Sequence, residues 1–172
     1  MKIEFRPLQL NESKAVYDML QSLPQKENGF ENDAFGLTEA EFTEWLREKV
    51  ACSRGVALGW DWVPRTRFIL FINDVPVGYG RLAHYLNPAL EKHGGHRAYS
   101  IAPQFRGRGY ANIMAKEIQQ YARKIGLDKI LVTINDDNVP SYKAAEKNGA
   151  VLQKIETGDD GVRRRFYWIH LT

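Results

Sequence analysis

Hydrophobic and polar residues follow two different periods along this chain. Near the N-terminus, Ile3 and Phe5 alternate with charged residues, which predicts a first strand. Similar short apolar runs bounded by turn residues recur from residue 67 onward. Six further strands are predicted, at residues 67–72, 75–85, 96–102, 129–134, 151–155 and 162–171.

Apolar spacings of three and four residues predict four helices between these strands. The first runs over 11–23 with Asn11 or Ser13 as its N-cap, and the second opens with a capping box, Thr38 and Glu41. A fourth starts at Pro140. The third is the most amphipathic, with apolar residues at Ala111, Met114, Ala115, Ile118, Tyr121, Ala122 and Ile125.

Two segments are predicted to be irregular. Residues 25–33 form a polar stretch with one aromatic residue, and residues 87–95 are expected to be a loop or a short helix. No Pro/Gly/Ser-rich linker divides the chain, so we expect a single domain over 1–172 with a mixed α/β architecture.

Composition narrows the class of protein without naming its function. The 172 residues are 44% hydrophobic and 26% charged, which is typical of a globular domain. No apolar run is long enough to span a membrane, and the N-terminus lacks the apolar segment of a signal peptide. With one cysteine, Cys52, the chain cannot form an internal disulfide, so we expect a reducing, cytoplasmic environment.

The turn from Gln104 to Ala111 is the clearest candidate for chemistry. It holds two glycines and two of the 24 basic residues, Arg106 and Arg108, directly before the strongest predicted helix. A glycine-rich helix start exposes backbone N–H groups and the positive end of the helix dipole, which favours a phosphate. The turn lacks the Lys-Ser/Thr of a P-loop and the third glycine of a dinucleotide-binding loop.

The pattern Gln104-x-x-Gly107-x-Gly109 resembles the Q/R-x-x-G-x-G/A signature of the GNAT superfamily of acetyl-CoA-dependent N-acetyltransferases. Its surroundings are similar too: Tyr99 to Pro103 before it, and the run from Ile134 to Ala150 after it. Gly94-Gly95-His96 resembles a poorly characterised bacterial-type branch. The resemblance implies a mixed central sheet of six to seven strands flanked by helices, with the fourth and fifth strands splayed to hold CoA.

The resemblance also implies which residues hold the cosubstrate, acetyl-CoA, with no metal. The pantetheine arm would pair with the strand around Tyr99 to Ala102, where the Ile101 N–H would polarise the thioester carbonyl. Asn135, Asn138 and Ser141 would contact the arm or keep the gap open. Including the turn that cradles the pyrophosphate, the implied cofactor residues are Ile101, Ala102, Gln104, Arg106, Gly107, Arg108, Gly109, Tyr110, Ala111, Asn135, Asn138 and Ser141.

Tyr142 matches the family's general acid, which protonates the departing thiolate. The general base is left open between His96, His84, a loop carboxylate and a water chain, because the fifth strand offers no carboxylate. Three carboxylates, Glu27, Glu31 and Asp33, lie where they could recognise a cationic amine, or they are solvated loop residues. The acceptor pocket could be lined by aromatic residues at Trp60, Trp62 and Tyr85.

Three functions remain to be separated. The first is acetyl transfer to a small-molecule or peptide amine by direct attack. The second is a catalytically inactive acyl-CoA sensor or partner domain of the same fold. The third, nucleic-acid binding, rests on the run Arg163 to Arg165, which we interpret instead as a solvated edge strand. No nucleic-acid or membrane partner is expected, and the resemblance allows a homodimer.

Overall fold

A computed structural model describes residues 1–56, 59 and 62–171. Within these residues the helices begin and end close to the predicted positions. In chain order the elements are β1 (Ile3–Pro7), α1 (Lys14–Ser22), β2 (Lys26–Glu27), β3 (Phe30–Glu31), α2 (Glu39–Ser53), β4 (Arg65–Ile72), β5 (Val75–Ala83), β6 (Arg97–Ile101), α3 (Tyr110–Lys124), β7 (Lys129–Asn135), α4 (Val139–Lys147), β8 (Val151–Thr157) and β9 (Arg163–His170).

Seven of the strands form two antiparallel sheets. The first has the order β1-β4-β5-β6, and the second has the order β7-β9-β8. The expected mixed α/β fold with about seven central strands is therefore confirmed. One prediction about a strand is wrong: β9 is the middle strand of its sheet and not an edge, because β8 pairs on its far side.

Two apolar clusters lie on opposite faces of the first sheet. One cluster joins the sheet to α3 and to the second sheet, with Phe68, Leu70, Met114, Ile130 and Tyr167 among its buried members. The other covers the opposite face with α1 and α2. Its buried side chains include Leu20, Phe42, Trp45, Ile69 and Tyr79. The first sheet is thus enclosed on both faces, as the continuous apolar run of β4 requires.

Local sequence signals explain most of the helix boundaries. The Ser13 hydroxyl caps α1, and the Thr38–Glu41 capping box is formed at the start of α2. Residues Leu90–Gly94 form one turn of π-helix, which agrees with a loop or short helix there. No described helix is long and apolar enough to cross a membrane.

The predicted polar loop over 25–33 is partly wrong, because β2 and β3 form a tight hairpin there. Its two turn residues, Asn28 and Gly29, have φ angles of 48° and 82°, as a type I′ turn requires. An Asn-Gly pair is the strongest short-range hairpin signal, so the sequence contained the information. The strands are only two residues long, which hid the alternation that marks a longer strand.

Candidate functional site

A gap separates the two sheets between β6 and β7. The sheets meet at one end, where the His96 N–H donates to the Leu131 carbonyl at 2.8 Å. Gly95 permits this contact, since a Cβ there would lie 2.5 Å from the Leu131 oxygen and its φ is +61°. In the part of the chain that the structure describes, no backbone ladder continues between β6 and β7 beyond this point. The strands therefore leave an opening at the end where Ile101 and Asn135 lie.

The hydrogen-bond alternation of β6 decides which of its backbone groups face this opening. The Ala83 N–H donates to the His96 carbonyl, and the Ala102 N–H donates to the Val77 carbonyl, so even-numbered residues pair with β5. Because an antiparallel ladder alternates, the N–H groups of Tyr99 and Ile101 point away from β5 and toward the gap. The geometry thus suits Ile101 for a ligand contact.

Unlike Ile101, Ala102 has both its backbone N–H and its carbonyl bonded within the protein. Its N–H is bonded to Val77, its carbonyl accepts from the Phe105 N–H at 2.9 Å, and the residue is fully buried. The structure therefore gives no support to the expectation that Ala102 binds a ligand directly. Its place at the end of the ladder instead fixes where the following turn begins.

The turn after β6 leads into α3 as the sequence predicts. Gly107 and Gly109 have φ angles of +77° and +83°, and a Cβ at either would meet no atom within 4 Å. The glycines are thus needed for backbone conformation rather than for space. Helix α3 starts at Tyr110 without a side-chain cap, and Ala111 is exposed in its first turn. Its first N–H groups lack intrahelical partners, an arrangement that favours an anion.

The two arginines of this turn have different surroundings. Arg106 forms a two-point ion pair with Glu27, at 2.6 and 3.2 Å, and its Nε donates to the Ile101 carbonyl at 2.8 Å. Arg108 is exposed and lies over the Phe105 ring at 5.8 Å. Arg106 therefore already holds a carboxylate, whereas Arg108 forms no ion pair within the described residues. Gln104 lies 3.5 Å from the Ser22 hydroxyl.

The β2–β3 hairpin crosses from one side of the gap to the other. Glu27 on β2 holds Arg106 after β6, while a Cβ built on Gly29 would lie 3.8 Å from the Asn135 side chain at the end of β7. Phe30 on β3 is buried against Tyr79 of β5, with ring centroids 5.6 Å apart. The hairpin thus forms part of the wall of the opening.

Asn135, Asn138, Ser141 and Tyr142 come together at the β7 side of the gap, as expected. Asn138 is the N-cap of α4, where its carbonyl accepts from the N–H groups of Ser141 and Tyr142, and its side chain makes no capping bond. Tyr142 is partly buried, and the Arg165 guanidinium lies 3.8 Å from the centre of its ring. This cation–π contact holds the ring in place.

Sequence reasoning missed Arg165 because the three consecutive arginines looked alike. Arg165 is tied to Asp136 at 2.7 Å and lies 3.7 Å from Glu146, while Arg164 pairs with Asp160. Hydrogen bonds to Tyr167 and Asp136 raise the pKa of Arg165 above its ordinary value. Because β9 lies between β7 and β8, Arg165 reaches Tyr142 and Glu146 of α4.

His96 and His84, the two candidate bases, are both engaged in hydrogen bonds. The Leu131 N–H donates to Nδ1 of His96 at 2.8 Å, and burial lowers the pKa of His96 to about 4. His84 Nε2 lies 2.7 Å from the Thr66 hydroxyl, and burial lowers the pKa of His84. In this geometry His96 fastens β6 to β7, which favours a positioning role over proton abstraction.

The three loop carboxylates are also occupied. Glu27 pairs with Arg106, Glu31 lies 3.6 Å from Lys26, and Asp33 lies 3.3 Å from Lys49. They therefore offer little for recognition of a cationic amine. Among the aromatic candidates, Trp62 and Tyr85 are about half exposed, and Trp60 lies outside the described residues.

Comparison with known proteins supports the same architecture. The model of the acetyltransferase (GNAT) domain family matches residues 2–151. No curated protein sequence matches this chain.

Three solved structures illustrate the likeness in fold. An acetyl transferase from Salmonella typhimurium, described as modifying the N-terminal serine of ribosomal protein L7/L12, has a TM-score of 0.67 at 14% identity, covering 98% of this chain and 94% of that one. A spermidine N-acetyltransferase SpeG chimera, from Vibrio cholerae and hSSAT, gives 0.68 at 15%, covering 99% and 96%. The yncA protein of Salmonella typhimurium, solved with acetyl-CoA, gives 0.64 at 12%, covering 100% and 95%. The family match spans most of the chain, so this protein belongs to the GNAT acetyltransferase family.

Proposed function

We propose that this protein transfers an acetyl group from acetyl-CoA to a primary amine. The observation that carries the proposal is the uncapped, glycine-led start of α3, which stands beside the gap between β6 and β7 in a chain of the GNAT family. The pyrophosphate would bind the N–H groups of this helix start, with Arg108 nearby. The pantetheine arm would lie in the gap, where the alternation of β6 leaves N–H groups free.

The chemistry needs three groups around the thioester. The amine nitrogen attacks the carbonyl carbon, the carbon–sulfur bond breaks, and the departing thiolate takes a proton. The Ile101 N–H would stabilise the oxyanion that forms during attack. Tyr142 would supply the proton to the thiolate, a role for which a phenol with an ordinary pKa of about 10 is suited.

The amine must lose a proton before or during attack, since a lysine-like amine with pKa of about 10.4 is mostly charged at neutral pH. Among the histidine candidates, His96 lies on the strand that borders the gap. Its Nδ1 accepts a backbone hydrogen bond, however, and a pKa of about 4 makes it a weak base. We propose that water in the gap carries this proton and that His96 positions the strands.

The solved relatives indicate the chemical class of the acceptor but not its identity. One acts on a protein N-terminus and another is named for spermidine, so both a peptide amine and a small polyamine are candidates. All of these acceptors present a primary amine. The assay must therefore include both types, with acetyl-CoA as the donor and release of free thiol as the readout.

The test separates the enzyme from a sensor of the same fold. With acetyl-CoA and a panel of amines, we expect release of free CoA thiol that depends on both the protein and the amine. CoA binding without release for any amine would favour the sensor. Absence of CoA binding would contradict both functions.

Tyr142→Phe tests the proposed general acid. The variant keeps the ring and its contact with Arg165 but removes the hydroxyl, so kcat should fall at least tenfold while the Kd for CoA changes less than twofold. Tyr121→Phe is the matched control. Tyr121 lies on α3, where its ring packs edge-on against Phe68 of β4. Equal losses of kcat and CoA affinity in Tyr142→Phe would indicate a packing role instead.

A further inference from the structure

Three arginines gather on one face of the first sheet, away from the turn that binds phosphate. Arg65 and Arg67 lie two residues apart on β4, and Arg81 is the direct cross-strand partner of Arg67 on β5. Because strand side chains alternate, all three lie on the face that α2 and the β2–β3 hairpin cover. We call Arg65, Arg67 and Arg81 the arginine cluster. Like charges directly opposite each other on a sheet are unfavourable unless an anion lies between them.

Among the residues that the structure describes, one carboxylate forms an ion pair with the arginine cluster. Asp33 lies 3.5 Å from Arg67 and 3.3 Å from Lys49, and it accepts a hydrogen bond from the Tyr79 hydroxyl at 3.1 Å. Burial alone would raise the pKa of Asp33, but Arg67 and Lys49 together lower it. Arg67 and Lys49 therefore share one carboxylate, that of Asp33.

Arg65 and Arg81 rest on aromatic rings instead of carboxylates. Arg65 lies 5.3 Å from the Trp62 ring and Arg81 lies 5.4 Å from the Phe30 ring. Neither forms an ion pair within residues 1–56, 59 and 62–171. Burial and the two neighbouring arginines lower the pKa of Arg65. Both residues are partly exposed.

Arg67 is the buried member, and one of its donors is unused. Its side chain is 2% exposed, with Nε bonded to the Tyr79 hydroxyl, while Nη1 has no hydrogen-bond partner. The Trp45 Nε1 is also buried without a partner, and the Trp45 ring lies 6.1 Å from Tyr79. Leaving a buried donor unpaired is unfavourable, and more so for a charged group. An anion that reached this guanidinium would supply the missing partner.

The arginine cluster lies on a face of the first sheet that also includes part of β6, the strand that borders the gap. Arg81 pairs with Ala98 and Tyr79 pairs with Ser100 across β5 and β6, so Ser100 and Arg81 share one face. Ala98 is three residues from Ile101, or about 10 Å along the strand. Phe30, which lies under Arg81, belongs to the hairpin that walls the gap. Arg81 is thus separated from the gap only by β6.

We propose that the arginine cluster binds a carboxylate of the acceptor, so that the substrate is an amine that also carries a negative charge. Asp33 already demonstrates that the buried guanidinium takes a carboxylate oxygen at this place. A planar guanidinium fork suits a carboxylate, and a polyamine such as spermidine would be repelled. This inference deepens the proposed acetyl transfer and rests on it.

Matched acceptors test the inference. The probes are glycine, 3-aminopropanoate, 4-aminobutanoate and 5-aminopentanoate, each compared with its amide, together with 2-aminoethyl phosphate and spermidine. We expect kcat/KM at least tenfold higher for a carboxylate than for its amide in one or more pairs, with spermidine no better than the amides. The phosphate compound tells whether the site distinguishes a carboxylate from a phosphate.

Variants locate the effect. Arg81→Gln should raise KM for the best carboxylate at least tenfold while leaving KM for its amide and the Kd for CoA within twofold, and Arg81→Lys should restore part of the loss. Arg81 is partly exposed, so we expect the variant to fold, and its Tm checks this. Arg47→Gln is the control, because Arg47 is exposed on α2 and pairs with Glu44.

The outcomes separate failure of this inference from failure of the proposed function. Acetylation of the amides as fast as the carboxylates, or equal effects of Arg81→Gln on both, would overturn the anionic acceptor while leaving acetyl transfer intact. Titration of the CoA-bound protein with the same carboxylates gives a readout without turnover, and equal binding of acid and amide there would also overturn it. CoA binding without thiol release for any amine would instead overturn the proposed function.

Discussion

At the scale of single residues, one cation–π contact decides how the proposed acid is held. Arg165 lies 3.8 Å from the Tyr142 ring centre and is itself fixed by Asp136. Arg165→Gln should lower kcat three- to tenfold, because the ring loses the cation that orients it. Steady-state kinetics with acetyl-CoA check this.

Arg163→Gln is the matched control for that experiment. Arg163 also pairs with Asp136, at 3.1 Å, but it is exposed and does not lie over Tyr142. We expect its kcat to stay within twofold of the unchanged protein. A similar fall in both variants would show that Asp136, and not the contact with the ring, is responsible.

Single residues were also where sequence reasoning was weakest. The sequence indicated Arg106 as a phosphate ligand, but its guanidinium is paired with Glu27, 79 residues away along the chain. It gave no signal for Arg67, which is buried with one guanidinium nitrogen unpaired. Ion pairs between distant segments depend on the fold, so residue type and spacing alone could not identify them.

At the scale of elements, the start of α3 is predicted to be the main binding element for CoA. Gly109→Asp should weaken CoA binding at least tenfold, because an aspartate at this N-cap repels phosphate and competes for the same N–H groups. Isothermal titration with CoA measures the Kd. Gly126→Asp is the control, since Gly126 also has a positive φ, +92°, and open space around it. Equal weakening in both would point to lost stability rather than a lost site.

The β2–β3 hairpin gives a second prediction at this scale. Gly29→Ala forces an alanine into a φ of +82°, which should cost about 1 kcal/mol or more of stability and distort the wall of the gap. We expect KM for the acceptor to rise severalfold. Gly36→Ala carries the same backbone strain, at φ +79°, but lies outside the hairpin. Thermal unfolding should show similar losses of stability for the two variants, whereas a rise in KM in Gly36→Ala as well would refute the role of the hairpin.

At the scale of the whole molecule, His96 joins the two sheets, and stability should depend on its protonation. Its pKa is lowered from about 6.5 to about 4, so the unfolded chain binds more protons between these values and stability falls as pH drops through this window. We expect protonation of His96 to lower the free energy of unfolding by about 2 kcal/mol between pH 7.5 and pH 5. Urea unfolding at the two pH values measures the difference.

His96→Asn tests that assignment. The asparagine oxygen can still accept a hydrogen bond from the Leu131 N–H, but asparagine does not titrate. The difference in free energy of unfolding between pH 7.5 and pH 5 should therefore lose most of the contribution from His96. His170→Asn is the control, because His170 is exposed on β9. An unchanged pH dependence in His96→Asn would mean that other groups cause it.

The sequence alone determined most of the elements and the glycine-led turn before α3. Periodicity, capping residues and glycines act over a few residues, so α1, α2, α3 and the turn at 104–111 could be predicted from local physics. The family resemblance added the gap between β6 and β7. Only the tertiary structure decided which charges remain unpaired, that β9 is a central strand, and that His96 fastens two sheets. These features arise from contacts between residues far apart in the chain, where burial and pairing are set by packing rather than by sequence period.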